Sequence, residues 1–191
     1  MRVAAAIVCA TALLTGCASR TTTGAQVKED LATMKAERSA DKLAARGRAF
    51  ASVGDFTRAE QYLSAAIDAG GDAGALLPEL LRVCIASKRY RVAIDYATPW
   101  LDRHPEDTRL RFVVAALRAS IGDAEGADRD FAQILRAAPN DAMVHFAYAV
   151  LLRDQLRDLL RADQEFREYL RLDPHGAHVD EARASLLNSV P

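Results

Sequence analysis

The chain has 191 residues and a formal net charge of −1, from 25 basic and 26 acidic side chains. This length fits one domain or two small ones, and the near-zero charge gives no electrostatic reason to expect a nucleic-acid partner. Alanine, leucine, arginine and glutamate are good helix formers, and aromatic residues make up only 6% of the chain, so we expect helices. Cys9, Cys17 and Cys84 form neither a disulfide framework nor a metal-ligand spacing. We therefore predict no disulfide, no metal and no cofactor.

The first 16 residues are typical of a secretory signal peptide. Arg2 supplies the positive charge, and residues 3–14 are mostly apolar but too few for a transmembrane helix, which needs about 20. The segment ends in Leu-Thr-Gly-Cys at Cys17, which resembles the lipobox of bacterial lipoproteins. That resemblance implies cleavage before Cys17 and lipidation of its thiol; the alternative is an ordinary signal peptide followed by a chance cysteine. Ala18, by the same resemblance, implies the periplasmic face of the outer membrane rather than the inner membrane.

A polar tether and a charged helix are predicted to follow. Residues 17–26 are rich in threonine and lack periodicity, whereas residues 27–39 carry a narrow apolar stripe at Val27, Leu31 and Met34, which predicts a helix.

Four similar stretches then follow one another, at 40–73, 74–107, 108–141 and 142–175. Each has the pattern of a helix, a tight turn and a second helix. The alanines of the second helix recur 34 residues apart and, in the last stretch, 35 residues apart: Ala59, Ala93, Ala127 and Ala162. We place the one additional residue of the fourth stretch at 153–158. A fixed period with a helix-turn-helix inside it predicts a repeat array whose neighbours stack to bury one continuous core.

Smaller features refine this prediction. Pro78 is expected in the first turn of its helix, where its missing N–H costs nothing. Pro99 is expected to kink the helix in which it lies. Residues 176–191 are predicted to form a C-terminal capping helix, with its apolar side formed by Val179, Ala182, Leu186 and Leu187 between residues 177 and 189.

The repeats resemble tetratricopeptide repeats (TPR), which have small, aromatic, Gly, Ala and Pro residues at fixed positions. The matching residues are Gly47, Phe50, Gly54, Ala59 and Ala66; Ala93 and Pro105; Ala115, Gly122, Ala127, Phe131 and Pro139; and Ala162, Phe166 and Pro174. The resemblance implies an all-α, right-handed α-solenoid of about four repeats with flanking capping helices. The second repeat departs from the pattern, with Leu81 at the first small position and Cys84 at the first aromatic one.

The TPR resemblance also implies that the first helix of each repeat lines a concave groove. The residues at the usual groove positions are Arg48, Arg82, Arg109, Phe112, Phe146, Val150 and Arg153. Guanidinium groups beside aromatic rings suit a peptide carboxylate or an acidic stretch. The alternative is that these arginines are ordinary surface residues paired with nearby Asp and Glu. The Lys/Asn clamp for chaperone tails is not matched, since Ala44 and Glu79 occupy two of its places.

No catalytic motif is found in the sequence, so we predict a binding protein without enzymatic activity or a small-molecule substrate. His175 and His178 lack further metal ligands, Cys84 is expected to be a buried apolar residue, and Trp100 is expected to pack in the core. Together with the lipobox, this pattern resembles the small TPR lipoproteins, pilotins and Tad-type proteins, that assist pilus and secretion assembly. A scaffold for cell-wall enzymes, a purely structural role and an enzyme with an unrecognised groove site are the alternatives. The expected partners are a protein or peptide of the envelope and, through Cys17, the membrane.

Overall fold

The computed structural model describes residues 39–187. The predicted signal peptide, Cys17, the tether and the N-terminal helix up to residue 38 lie outside these residues, as do residues 188–191. Within 39–187 the chain forms nine α-helices and no strand. They are α1 (Ala40–Ser52), α2 (Phe56–Asp68), α3 (Ala73–Ala86), α4 (Tyr90–Arg103), α5 (Thr108–Ser120), α6 (Ala124–Ala137), α7 (Ala142–Leu151), α8 (Leu159–Leu172) and α9 (Val179–Ala184). None of these nine is long and apolar enough to cross a membrane.

Aspartates start most of these helices. In each case the carboxylate accepts a hydrogen bond from a backbone N–H two or three residues further on, at 2.9–3.3 Å. Such a bond satisfies one of the four N–H groups that have no partner in the first helical turn. The capping residues are Asp55, Asp72, Asp107, Asp123, Asp141 and Asp158.

Consecutive helices pack against each other along the whole described array. The periodic alanines are all buried: Ala59, Ala93 and Ala127 are 0% exposed, and Ala162 is 3% exposed. A small side chain at these points lets the two helices of a repeat approach closely. The prediction of an all-helical array of stacked helix pairs is confirmed.

Side-chain volumes compensate each other within each helix pair. A Cβ added to Gly47 would lie 2.7 Å from Leu63 Cγ, so the backbone of α1 lies directly against that leucine. The corresponding pairs in the other repeats are Leu81 with Ala97, Ala115 with Phe131, and Ala149 with Phe166, and all six of these residues are buried. Leu81 therefore departs from the small-residue pattern in the one repeat whose second helix carries an alanine instead of a large side chain. A nearly constant total volume preserves close packing.

In each repeat, one residue of the turn between the two helices has a left-handed backbone conformation, and it stands at the same position of the repeat. Gly54 and Gly122 have φ of 79° and 81°, and Lys88 and Arg157 take the equivalent places with φ of 59° and 57°. In the fourth repeat a π-helical turn, Leu152–Leu156, extends α7 before Arg157. A π-helix closes i→i+5 bonds and so takes up one additional residue, which accounts for the period of 35.

Two sequence expectations are wrong. Pro78 lies not in the first turn but at the sixth residue of α3, because Asp72 caps the helix and starts it at Ala73. The C-terminal helix is shorter than predicted and covers only Val179–Ala184. It ends there because the chain turns back to α8, where the Leu187 N–H donates to Asp163 Oδ1 at 2.8 Å. The helix that contains Pro99, α4, runs unbroken to Arg103.

Candidate functional site

The first helices of the four repeats, α1, α3, α5 and α7, form what we call row A, and shallow depressions lie between neighbours in this row. One of about 420 Å³ lies between α3 and α5, and we call it the Trp100 depression. It is lined mainly by apolar side chains, with two arginines and one aspartate: Gly74, Leu77, Pro78, Leu81, Arg82, Ile85, Trp100, Asp107, Arg109, Leu110 and Val113.

Trp100 is held rigidly at this site. Its Nε1 donates to Asp107 Oδ2 at 3.1 Å, and its ring stacks on His104 at a centroid distance of 4.0 Å. A Cβ added to Gly74 would lie 3.1 Å from Trp100 Cη2, so glycine allows the indole to lie close to α3. Trp100 packs against the core as expected, but it is half-buried and also lines the depression, which sequence reasoning missed. Its repeat position gave no signal of this, because the matching residues Ile134 and Tyr169 are buried.

Pro78 changes the backbone beside the indole. Proline has no N–H, so the Gly74 carbonyl cannot accept the usual i+4 hydrogen bond of an α-helix. Both residues are exposed and line the depression. The helix therefore lacks one i+4 hydrogen bond next to the apolar lining of the depression.

Arg82 and Arg109 are exposed and line the same depression. Within residues 39–187 neither guanidinium takes part in a hydrogen bond or an ion pair. The carboxylates near them are already engaged. Glu79 accepts two hydrogen bonds from Arg48, each of 2.8 Å, and Asp107 accepts from the Leu110 N–H and from Trp100.

Arg48 and Arg153 do not offer free guanidinium groups, contrary to the groove hypothesis and in agreement with the alternative of paired surface arginines. The hydrogen bonds from Arg48 hold the pKa of Glu79 below its ordinary value, with a smaller effect from Arg82. Arg153 donates to Asp154 at 2.7 and 3.0 Å and to Glu181 at 3.1 Å, and these carboxylates raise its pKa. Because Glu181 belongs to α9, the hydrogen bond from Arg153 to Glu181 links this last helix to the π-helical turn.

The remaining predicted residues lie further along row A. Phe112 is half-buried, packs edge-on against Phe131 at 5.8 Å and, with Arg109, lines a second depression of about 260 Å³. Phe146 and Val150 line a third depression, of about 330 Å³. Phe146 is nevertheless largely a core residue, since it is 8% exposed. The structure thus brings Arg82, Arg109 and Phe112 to adjoining depressions and places Phe146 mostly beneath the surface.

Three further residues with polar or sulfur-containing side chains, His145, Cys84 and His178, pack within the array. His145 is buried between Glu165, at 2.5 Å from Nδ1, and the Pro139 carbonyl, at 2.9 Å from Nε2. Cys84 is buried, and this burial raises the pKa of its thiol to about 11. His178 stacks on Phe146 at a centroid distance of 4.1 Å. Over residues 39–187, no three His, Cys, Asp or Glu side chains are grouped so as to hold a metal ion.

Comparison with known proteins agrees with this architecture. No family model and no curated protein matches the chain, but many solved structures do. A tetratricopeptide repeat protein from Parabacteroides merdae is 22% identical with a TM-score of 0.68, over 76% of this chain. The chain has the tetratricopeptide-repeat fold. It spans 58% of the length of that TPR protein.

Two further TPR-fold structures are similar over most of both chains. YrrB, described as a TPR protein with an unusual peptide-binding site, is 18% identical with a TM-score of 0.66 and covers 84% of this chain and 86% of its own. MamA from Desulfovibrio magneticus is 16% identical with a TM-score of 0.63, over 80% and 88%. At these identities the similarity establishes the fold alone.

Proposed function

We propose that this TPR-fold protein is a non-enzymatic adaptor that binds a segment of another protein along row A. The observation that carries the proposal is the series of adjoining depressions on this row, lined by apolar side chains and by Arg82 and Arg109. An extended segment gains affinity when its side chains occupy such depressions in succession. The peptide-binding site described for YrrB, which has the same fold, supports this function.

The sequence adds a location to the proposal. The motif ending at Cys17 supports a lipid anchor there, and Ala18 supports the periplasmic face of the outer membrane. The tether of residues 18–26, fully extended, spans at most about 30 Å. The adaptor would then act close to the membrane, in the assembly of a pilus or secretion complex.

Site-specific photo-crosslinking tests the binding surface. A photoreactive phenylalanine analogue at Ala116, which is exposed and lines the third depression, should give discrete adducts in living cells. The matched control carries the same analogue at Arg129, which is exposed on α6 outside row A and should give none. Mass spectrometry of the adducts separates an assembly protein from a cell-wall enzyme. Adducts at Arg129 alone, or at neither position, would refute binding along row A.

Membrane fractionation tests the anchor separately. Replacing Cys17 with Ser removes the thiol that accepts lipid, so the protein should move from the membrane fraction to the soluble periplasmic fraction. The control is Cys84→Ser, which should leave the distribution unchanged because Cys84 is buried in the array. Retention of Cys17→Ser in the membrane would overturn the lipobox assignment without affecting the binding proposal.

A further inference from the structure

We infer that the Trp100 depression selects the partner segment: it binds one bulky apolar side chain that has a carboxylate beside it. This inference rests on the proposed function and specifies the ligand of one site within it. The occupant is therefore an acidic-apolar segment. Its carboxylate belongs to an Asp or Glu side chain, because a segment that continues into the adjoining depression has no free end at this site.

The shape of the site fits a single side chain. Leu77 and Leu81 are 4% and 2% exposed, and they form an apolar floor beneath the half-buried Trp100. A volume of about 420 Å³ accommodates a leucine or phenylalanine side chain together with its flanking backbone. Since Trp100 is fixed by Asp107 and His104, the site is formed before a ligand arrives, which lowers the entropy cost of binding.

The charge at the site calls for a carboxylate. Arg82 on α3 and Arg109 on α5 bring two positive charges to one apolar depression. Arg48 donates to both oxygens of Glu79, and Asp107, whose donors are the neutral Leu110 N–H and Trp100 Nε1, offsets one of the two charges. One net positive charge therefore remains in the lining of the depression. Arginine binds carboxylates through two parallel N–H donors, and such charge-assisted bonds are stronger than neutral ones. The ligand supplies the missing negative charge.

The distribution of unusual residues points to the same place. The second repeat differs from the TPR pattern at Leu81. At the position of Trp100 the other repeats have Ala66, Ile134 and Tyr169, which are at most 1% exposed, whereas Trp100 is half-buried. Leu81 and Trp100 line the Trp100 depression together with Gly74 and Pro78 of the same repeat. The first and third repeats keep small residues, Gly47 and Ala115, at the position of Leu81. The residues in which the second repeat departs from the repeat pattern therefore surround one surface site.

The test uses Trp100 as its own reporter, because the chain has a single tryptophan. The purified full chain is titrated with four peptides while the tryptophan emission is recorded. The first is acetyl-Ser-Gly-Asp-Leu-Glu-Gly-Ser-amide, with side-chain carboxylates only, and the second is acetyl-Ser-Gly-Ser-Gly-Leu with a free carboxyl end. The third replaces Asp and Glu of the first with Asn and Gln, and the fourth replaces its Leu with Ala.

The first peptide should give a saturable change in emission below about 1 mM. Binding of the second peptide alone would show that the site takes a chain end instead of a side-chain carboxylate. The neutral and the alanine peptides should bind at least ten-fold more weakly. Arg82→Gln and Arg109→Gln should each weaken binding about ten-fold, as expected for loss of a charge-assisted hydrogen bond. The control Arg136→Gln, an exposed arginine on α6, should have no effect.

Three results would overturn the inference: no saturable change with the first peptide, binding of its neutral derivative as tight as that of the first peptide itself, or unchanged binding of the first peptide by the double variant Arg82→Gln/Arg109→Gln. Both arginines are exposed, so these variants should fold, and circular dichroism checks this. If crosslinking from Ala116 persists while the peptides fail to bind, the adaptor function stands and only the selectivity of this depression is refuted.

Discussion

The buried ion cluster in the third repeat gives the sharpest stability prediction. Asp130 accepts hydrogen bonds from Arg118 at 2.8 Å and from Arg111 at 3.2 Å. Asp130 and Arg111 are only 5% and 8% exposed, and Arg111 Nε is buried without a hydrogen-bond partner among the described residues. Asp130→Asn removes the negative charge and leaves the Arg111 cation buried and uncompensated.

Breaking a buried pair on one side costs about 3–5 kcal/mol. We expect the lower end, about 3 kcal/mol, because burial raises the pKa of Asp130 and so disfavours the negative charge that Asp130→Asn removes. Arg111→Leu should behave differently, since it removes the cation together with its unpaired Nε and leaves Asp130 paired with Arg118. The matching residue of the second repeat, Leu77, is already a leucine. This variant should change stability by less than about 1 kcal/mol.

Urea unfolding followed by circular dichroism measures both effects, with Asp102→Asn, an exposed carboxylate on α4, as the control. In thermal unfolding followed by the same signal, the melting temperature of Asp130→Asn should fall by about 6–12 °C, given 2–4 °C per kcal/mol at this size. The double variant Arg111→Leu/Asp130→Asn should be more stable than Asp130→Asn alone, because the buried cation is gone. If Arg111→Leu costs as much as Asp130→Asn, the cluster is a stabilising pair and the reasoning is refuted.

Other predictions test the turns, the C-terminal packing and the buried thiol. Lys88→Gly should stabilise the fold by about 0.5–1 kcal/mol in urea unfolding, because Lys88 has φ of 59°, whereas Gly122→Lys should destabilise it. Hydrogen bonds from Arg167 lower the pKa of Asp163. The stability advantage of the wild type over Asp163→Asn should therefore be present above the unfolded pKa of about 3.9 and be lost as the pH falls through the lower folded value. In a chain carrying Cys9→Ser and Cys17→Ser, Cys84 should react with a thiol reagent at pH 7 only after unfolding, and fast reaction of the native chain would contradict its burial.

The repeat period made the fold predictable from the sequence. The site was harder to predict, because it depends on which arginines form ion pairs with carboxylates of neighbouring helices. A recurrence of 34 constrains each helix pair in the same way, so Ala59, Ala93 and Ala127 could be assigned to buried positions from the sequence. Whether an arginine is free depends on which acidic residue the next helix brings near it. Arg48 pairs with Glu79, 31 residues away, and no local pattern distinguishes it from Arg82. The groove positions therefore indicated residues on row A without indicating which of the arginines lack a carboxylate partner among residues 39–187.

Boundary errors have equally local causes. Proline is common in a first helical turn, which favours that place for Pro78. Asp72, six residues before Pro78, is a stronger start signal because its carboxylate accepts hydrogen bonds from the Gly74 and Ala75 N–H groups. The last helix was extended to residue 189 by its apolar spacing. Its end is set by Asp163, which is distant in sequence and accepts the Leu187 N–H.

Departures from a repeat pattern carry information about surface as well as core. In a stacked array, most pattern positions are fixed by contact between helices, so a substitution there must be compensated inside the pair, as Leu81 is by Ala97. Trp100 is not compensated in this way, because its ring is half-buried beside a depression and held by Asp107. The matching residues Ile134 and Tyr169 are also large but only 1% exposed, so Trp100 differs from them in its exposure rather than in its size. A departure from the repeat pattern is therefore assigned to the core or to the surface only when two things are known: how buried the residue is, and which residue it packs against in the helix pair.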